Sequence, residues 1–346
     1  MMLYKSFDLS RRIDVLDYLR GFALLGIVLV NIGPLLFVQA PETGSADGAY
    51  WRFLYMFVEG RFYTIFTFLF GVGFYIFITR ANAKGKKGYL LFLRRAVILF
   101  LFGLVHVRFH PGEALSVYAV CGLLLLPFYK VHKVINLVAG CALLTVFGLL
   151  SFKLFIVIPV MLLGIAAGQF QVFENLLKNI RKIAVTTGIL FILSVVGLLF
   201  QYQHAPFVFG TVSAAEFKET QQFINIGITV GPLVSAVYAG ALILVLQLPL
   251  MQKLLLPLRS YGRMALTNYI MQTVLIYLAG YTFDLFGNIT YLKTLYICLA
   301  IYAIQITFSV IWLRFFQYGP LEWVWRAATY LKLPPFRRVQ SAEDRR

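Results

Sequence analysis

The chain has 346 residues, of which 60% are hydrophobic and only 13% are charged. Soluble domains carry about 25% charged residues, so this composition excludes an ordinary soluble fold. The net charge of +17 does not by itself indicate nucleic-acid binding, because membrane proteins collect Lys and Arg in their cytoplasmic loops. We therefore expect a protein whose main partner is the lipid bilayer, with no nucleic-acid partner.

Apolar runs of roughly the length of a bilayer crossing recur along the whole chain. They predict an all-α membrane protein that is a bundle of about ten transmembrane helices. The predicted spans are 20–38, 62–79, 95–110, 114–129, 134–150, 154–170, 183–202, 227–247, 264–283 and 291–315. The third and fourth are short for a hydrocarbon core of ~30 Å, so they are expected to be tilted or partly re-entrant.

Lys and Arg are distributed unevenly among the segments that join these spans. If the N-terminus is inside, 24 of the 31 fall in inner segments and six in outer ones, and Arg314 lies near the inner end of the last span. Because positive residues are retained in the cytoplasm, the pattern predicts that both termini are cytoplasmic. The two long outer loops, 39–61 and 203–226, are expected to be either connectors with interfacial aromatic residues or lids over an outward-facing site.

The end of the chain is expected to leave the membrane, so that residues 1–318 form the transmembrane domain and 319–346 a cytoplasmic segment. Gly319 ends the last span, Pro320 suits a first helical position and Glu322 suits a first turn. Apolar residues then recur on one helical face. The pattern predicts a C-terminal amphipathic helix on the inner membrane surface, followed by a basic tail.

The first span holds polar residues at two depths. Asp14 and Asp17 suit a helix N-terminus, and Arg20 can contact lipid phosphates. Asn31 follows Arg20 by eleven residues, or ~16 Å along a helix, which is near the middle of the bilayer. A buried amide needs partners, so Asn31 is expected to face the bundle interior, either in an interhelical hydrogen bond or in a binding site.

The third span repeats this spacing. Arg94 and Arg95 stand at its inner end, and His106 follows Arg95 by eleven residues. His106 is expected to be either a general base or a structural hydrogen-bond partner, with Glu113 placed to orient or charge it. We expect His106 and Asn31 to point into one cavity that opens toward the cytoplasm.

The spacing of His106 and His110 would suit two metal ligands on one helix face. The sequence offers no third ligand nearby, so no metal is expected.

Four further polar residues are candidates for binding an acceptor substrate. Glu59 and Arg61 are predicted at the outer end of the second span, where they can pair with each other or with an anionic substrate. Asn268 and Gln272 share a face in the inner half of the ninth span. They are expected either to line a vestibule or to join helices by hydrogen bonds.

Five segments, in this order along nearly the whole chain, together resemble the YeiB-like family of bacterial membrane proteins. They are "LDYLRGFALLGIVLVNI", "RFYTIFTFLFGVGF", "GLVHVRFHPGEALSVYAVCGLLLLP", "YGRMALTNYIMQ" and "GPLEWVWR". The resemblance implies a multi-pass protein of the bacterial cytoplasmic membrane. It does not name a reaction.

The motif L-D-x-L-R-G is also similar to the start of transmembrane acyltransferases, which include bacterial glycan O-acyltransferases and heparan-alpha-glucosaminide N-acetyltransferase. Such enzymes use cytosolic acyl-CoA to modify a sugar across the membrane. In the O-acyltransferases a catalytic His stands where this chain has Asn31. The heparan enzyme has Asn there, with its catalytic His in the following loop. This chain has no His between Asn31 and His106, so the resemblance makes His106 the candidate base.

Two functions are therefore predicted as alternatives. An acyltransferase would take acyl-CoA or acetyl-CoA as co-substrate and an envelope sugar or lipid-linked acceptor, with His106 as base and Asn31 holding the thioester carbonyl. The residues predicted to bind the CoA phosphates are Arg20, Arg94, Arg95 and Arg263. A transporter or flippase of a small anionic or lipidic solute would use Asn31, His106 and Glu113 as its site. A homodimer is compatible with either function.

Overall fold

The computed structural model describes residues 13–209 and 213–337, and 77% of the chain is helical. The helices are α1 (Asp14–Leu35), α2 (Ala46–Phe57), α3 (Arg61–Ala83), α4 (Gly88–His106), α5 (Leu115–Leu124), α6 (Lys133–Leu149), α7 (Val157–Gln169), α8 (Leu176–Gln203), α9 (Ala214–Val245), α10 (Pro249–Leu254), α11 (Leu256–Arg263), α12 (Ala265–Thr282), α13 (Tyr291–Phe315) and α14 (Pro320–Tyr330). A short 3₁₀ helix, Leu126–Lys130, follows α5. The end of the predicted basic tail lies outside the described residues.

Six helical stretches are long and apolar enough to cross a membrane. They are Asp14–Leu35, Ala46–Ala83, Gly88–His106, Leu176–Gln203, Ala214–Val245 and Tyr291–Phe315. Each of the ten predicted spans coincides with a helix, and α5, α6 and α7 are shorter apolar helices. The chain is therefore an all-helical protein of the membrane type. The count of ten crossings and the cytoplasmic position of both termini stay predictions.

The long helices run between two ends of the bundle. The proximal end is defined by Asp14, Lys84 and Arg259, and Arg259 Nη1 donates to Asp14 Oδ2 there at 2.9 Å. The distal end is defined by Gly60 and Lys153, which lie in the segments before α3 and α7. The basic segments concentrate at the proximal end, which is the end predicted to face the cytoplasm.

Helix α1 crosses α11 at two glycines. A Cβ atom on Gly21 would lie 2.2 Å from the carbonyl oxygen of Leu258, and one on Gly262 would lie 1.9 Å from that of Asp17. Only glycine allows the two backbones to approach so closely. The "LRG" of α1 and the "YGR" of α11 are therefore two sides of one contact.

Helices α3 and α7 meet in a similar way. A Cβ atom on Gly71 would lie 2.1 Å from the carbonyl oxygen of Met161, and one on Gly164 would lie 2.2 Å from that of Phe68. This close approach fixes α3 along α7. The adjacent face of α3, with Tyr63, packs toward α5, where the Tyr63 and Tyr118 rings are stacked.

Both predicted outer loops contain helix that the sequence analysis did not predict. Helix α2 lies within 39–61 and is capped by Ser45, whose hydroxyl accepts a backbone N–H. Helix α9 begins within 203–226, where Ser213 and Glu216 form a capping box. The loop assignments were wrong because hydropathy was given more weight than these start signals.

Helix α14 is the predicted amphipathic helix, and it packs against α4 and α12. The Glu322 carboxylate accepts hydrogen bonds from the backbone N–H groups of Leu266 (2.7 Å) and Thr267 (3.2 Å) and from the Thr267 hydroxyl (2.6 Å). Glu322 thereby caps the first turn of α12 from a different helix. Burial raises the pKa of this carboxyl, and its hydrogen bonds to Thr267 oppose the rise.

Candidate functional site

A cavity of about 410 Å³ lies in the distal half of the bundle, between α1, α3, α5 and α12. Its wall includes five aromatic side chains, those of Phe62, Tyr63, Phe66, Tyr118 and Tyr269. Concave, mostly apolar spaces with a few polar groups are typical of ligand sites.

The mouth of the cavity lies at the distal end. The exposed residues Pro111, Gly112 and Lys153 belong to it, and the Lys153 ammonium forms an ion pair there with Glu59. Packed side chains of the core, including Leu24, lie between the cavity and the proximal end. The expectation of a cavity open toward the predicted cytoplasmic end was therefore wrong. At the distal end the cavity is bordered by the short turns before α3, α5 and α7, and these leave it open.

Asn31 lines this cavity, and it does so from the distal half of α1. Its side-chain amide makes no hydrogen bond to any part of the chain that the structure describes. An interhelical hydrogen bond, one of the two roles expected for Asn31, is thus not formed among these residues. The amide is available to a ligand.

Glu113 also lines the cavity, and the start of α5 holds its carboxylate in place. The backbone N–H of Leu115 donates to Oε2 at 2.6 Å, and that of Ser116 donates to Oε1 at 2.9 Å. The Ser116 hydroxyl donates to Oε1 as well. These contacts make Glu113 the cap of α5 and fix its orientation at the cavity wall.

His106 lies behind this wall rather than in it. Its Nε2 is 2.9 Å from Thr273 Oγ1, and its Nδ1 is 4.0 Å from Glu113 Oε2. Tyr269, which lines the cavity, packs edge-on against the imidazole with the ring centroids 5.2 Å apart. The expectation that His106 and Asn31 line one cavity was wrong. Equal spacing along two helices predicts equal depth but not the direction in which the side chains point.

His110 extends the polar cluster behind the wall. Its ring lies 5.5 Å from that of His106, centroid to centroid. Both His110 ring nitrogens and His106 Nδ1 are buried without a hydrogen-bond partner among residues 13–209 and 213–337. No group of three or more His, Cys, Asp or Glu in those ranges is arranged to hold a metal ion.

Of the four residues predicted to bind an acceptor, Glu59 reaches the cavity mouth. Arg61 points away from it and is 2% exposed. Its Nη1 donates to the carbonyl oxygen of Glu59 at 2.6 Å, and its Nη2 donates to Gln201 Oε1 at 3.0 Å. The Arg61 guanidinium thus contacts α8 and the backbone of Glu59, whereas the Glu59 carboxylate pairs with Lys153.

Asn268 and Gln272 belong to a buried network within the bundle. Asn268 Nδ2 donates to the Tyr261 carbonyl oxygen and to Ser309 Oγ, both at 2.9 Å. Gln272 Nε2 donates to the Tyr261 hydroxyl at 2.8 Å. These hydrogen bonds join α11, α12 and α13, which corresponds to the structural alternative expected for this pair.

The four arginines predicted to bind phosphates lie at or near the proximal end, and all are partly exposed. They are Arg20, Arg94, Arg95 and Arg263. Arg20 Nη1 donates to Asp17 Oδ1 at 3.0 Å. The Arg95 guanidinium lies 3.6 Å from the centroid of the Trp325 ring, a cation–π contact that ties α4 to α14.

Sequence reasoning did not single out Tyr63 and Tyr118, two of the three tyrosines of the cavity wall. Tyr118 shares a 2.9 Å hydrogen bond with Thr67, and the Tyr269 hydroxyl accepts the backbone N–H of Ala114 at 3.1 Å. Tyr63, Tyr118 and Tyr269 all lie inside the motif segments quoted above. Their presence there was the available signal, but aromatic residues are too common in membrane helices to mark a site alone.

The fold defines a helical protein of the membrane type with a cavity inside the bundle. Residues 167–332 match the family described as "Protein of unknown function (DUF418)". The chain belongs to this family. Its relation to YeiB confirms the resemblance to YeiB-like proteins that the motifs predicted.

Three relatives align with nearly the whole chain. The "Uncharacterized 39.9 kDa protein in amylase 3'region" of Bacillus acidopullulyticus is 53% identical, covering 97% of this chain and 99% of that protein. Uncharacterized protein YxaH of Bacillus subtilis (strain 168) is 26% identical, with 94% and 96% covered. Uncharacterized protein YeiB of Escherichia coli (strain K12) is 25% identical, with 91% and 95% covered. No solved structure matches the chain.

Proposed function

We propose that the protein is a membrane-bound acyltransferase that moves an acyl group from acyl-CoA to an acceptor in the distal cavity. The observation that carries this proposal is that two polar groups, on α1 and before α5, line the same cavity. Asn31 offers an amide with no hydrogen bond to the described residues, and Glu113 offers a fixed carboxylate 4.0 Å from His106. A hydrogen-bond donor beside a positioned base is what acyl transfer requires.

The reaction assigns one role to each group. Glu113 takes the proton of the acceptor hydroxyl or amine. His106, which lies 4.0 Å from the Glu113 carboxylate outside the cavity, stabilises the charge of that carboxylate. The acceptor atom attacks the thioester carbonyl carbon, while the Asn31 N–H donates to the developing oxyanion. The C–S bond breaks, and the departing thiolate takes the proton from Glu113. The products are the acylated acceptor and CoA.

The proximal end supports the binding of the donor. CoA carries anionic phosphates, which guanidinium groups such as Arg20 and Arg95 recognise through charge-assisted hydrogen bonds. The packed residues between the two ends, such as Leu24, must move for the thioester to reach Asn31. The proposal therefore includes a conformational step before the chemistry.

The same packed layer favours a second candidate, a transporter or flippase of a small anionic or lipidic solute. A buried site that is open at one end and closed at the other is one state of an alternating-access cycle. In that case Asn31 and Glu113 would bind the solute, and no acyl donor would be needed.

Ligand-dependent thermal stability separates the two candidates. Purified protein should melt at higher temperature with acetyl-CoA, because a ligand at 100 times its Kd stabilises by about 2.7 kcal/mol. Arg20→Ala should reduce this shift at least several-fold. Arg259→Ala is the matched control, because Arg259 lies at the same end and pairs with Asp14. The absence of any shift with CoA or acetyl-CoA would contradict the acyltransferase and leave the transporter.

The chemical step is tested with radiolabelled acetyl-CoA in membrane vesicles. Asn31→Ala should keep the acetyl-CoA shift and lose labelled product. If Asn31→Ala keeps both the acetyl-CoA shift and the labelled product, Asn31 takes no part in the mechanism.

A further inference from the structure

The charges that line the distal cavity do not balance. Its lining includes two carboxylates, Glu59 and Glu113, and one ammonium group, that of Lys153. Lys153 pairs with Glu59 at the mouth, so these two charges neutralise each other. Glu113 lies deeper and is 5% exposed. No Lys or Arg of the described chain lies within 4.0 Å of its carboxylate.

The groups that hold Glu113 are uncharged. They are the backbone N–H groups of Leu115 and Ser116 and the Ser116 hydroxyl. These donors, with the dipole of α5, stabilise the carboxylate but supply no formal positive charge. His106, 4.0 Å away on the far side, is bound to Thr273. A cationic group that entered the cavity would therefore find a carboxylate ready to pair.

Aromatic rings surround the same space. Tyr118 is flanked by Tyr63 and Phe66, with ring centroids 5.7 Å and 6.1 Å from its own. All three residues line the cavity together with Glu113. Aromatic faces attract cations, most strongly where water is excluded, and a carboxylate among such rings is a typical receptor for an ammonium group.

We infer that the distal cavity binds a ligand that carries an ammonium group, held by Glu113 and by the rings of Tyr63 and Tyr118. A volume of about 410 Å³ suits a headgroup or a single sugar ring. The binding follows from the cavity alone, whereas the role of this ligand as acyl acceptor rests on the proposed function. In that role the ammonium first loses one proton to Glu113. The neutral amine then attacks the thioester and the C–S bond breaks. The CoA thiolate takes the second proton from the amine and leaves as the thiol, while Glu113 releases the first proton to water.

Three small probes of similar size test the charge requirement on the full-length protein. Ethanolamine carries a primary ammonium, choline a quaternary one, and ethylene glycol carries no charge. At equal ionic strength, ethanolamine and choline should raise the melting temperature, and ethylene glycol should not. Equal increases in the melting temperature of the wild-type protein with ethanolamine and with ethylene glycol would overturn the inference. This test needs no variant.

Glu113→Gln should abolish the ethanolamine shift. Glu322→Gln is its matched control, because Glu322 is also a carboxylate that caps a helix but lies at the other end of the bundle. It should keep the shift. Tyr63→Leu, which removes a ring without touching the cap of α5, should weaken the shift several-fold. A full shift in both Glu113→Gln and Tyr63→Leu would overturn the inference.

The acetyl-CoA experiments separate this inference from the proposed function. If ethanolamine binds but neither acetyl-CoA binding nor N-acetylethanolamine is found, the ammonium site stands and the acyltransferase fails. If acetyl-CoA binds and only hydroxyl compounds are acylated, the acyltransferase stands and the ammonium site fails.

Discussion

Gly21 and Gly262 meet backbone to backbone, and a Cβ atom on Gly262 would lie 2.5 Å from the nitrogen of Gly21. This contact ties the start of α1 to the end of α11, next to the break where α12 begins. Helix α1 carries Asn31 and α12 carries Tyr269, so the crossing fixes two walls of the cavity relative to each other. The contact lies in two segments on which the family resemblance rests.

Gly262→Ala is expected to destabilise the protein by roughly 1–3 kcal/mol or more, because forced overpacking shifts the backbone. The new Cβ would lie 1.9 Å from the Asp17 carbonyl oxygen. Gly188→Ala in α8 is the control, since a Cβ atom there meets nothing within 4 Å. It should leave the melting temperature unchanged or slightly raised. Equal melting temperatures for the two variants would contradict the tight crossing.

Asn31→Ala and Asn268→Ala are expected to differ in their effects. Asn31 makes no hydrogen bond to described residues, so its loss should leave the melting temperature unchanged while abolishing acyl transfer. Asn268 is 1% exposed and donates two hydrogen bonds, so its loss should cost about 2–4 kcal/mol of stability. Thermal unfolding measures both effects. A large destabilisation by Asn31→Ala would show that Asn31 is structural.

Glu322→Ala is expected to destabilise the protein by about 1–2 kcal/mol, because α12 loses its cap. The effect should depend on pH. Burial raises the pKa of Glu322 in the folded protein, so its contribution to stability is fully present below the ordinary carboxyl pKa and declines as the pH rises through the raised value. The difference in unfolding free energy between wild type and variant should therefore be largest in acid. A difference that grows with pH would mean that the folded protein prefers the charged carboxylate.

The predicted orientation places the cavity mouth outside the cell. Cysteine substitution tests it in a Cys141→Ala background, because Cys141 is exposed whereas Cys121 and Cys298 are buried. Lys153→Cys at the distal end should react with a membrane-impermeant maleimide on intact cells. Lys84→Cys at the proximal end should react only after permeabilisation. The opposite labelling pattern would place the cavity on the cytoplasmic side.

Much of the helical architecture could be predicted from the sequence, because long apolar runs have no alternative in a bilayer to forming helices. The ten predicted spans each coincide with a helix. Helix α2 was missed because it is short and polar at its start. The start of α12 agrees with the predicted span 264–283, whereas the short helices α10 and α11 before it were not predicted.

The site was harder to predict because it depends on how the helices are rotated. Asn31 was expected to face the interior, and it lines the cavity. His106 was expected at the same depth in the same cavity, and it instead faces Thr273 on α12. Glu322 was assigned to the first turn of its own helix, and it also caps α12. No local pattern reports a contact between residues so far apart in the chain.

The cap that Glu322 places on α12 has a consequence for synthesis of the protein. Glu322 follows Thr267 by 55 positions, so α12 leaves the ribosome well before the carboxylate that completes it. The intervening chain includes the whole of α13. The amide groups at the start of α12 therefore remain without this partner until α13 and the first turn of α14 have been synthesised.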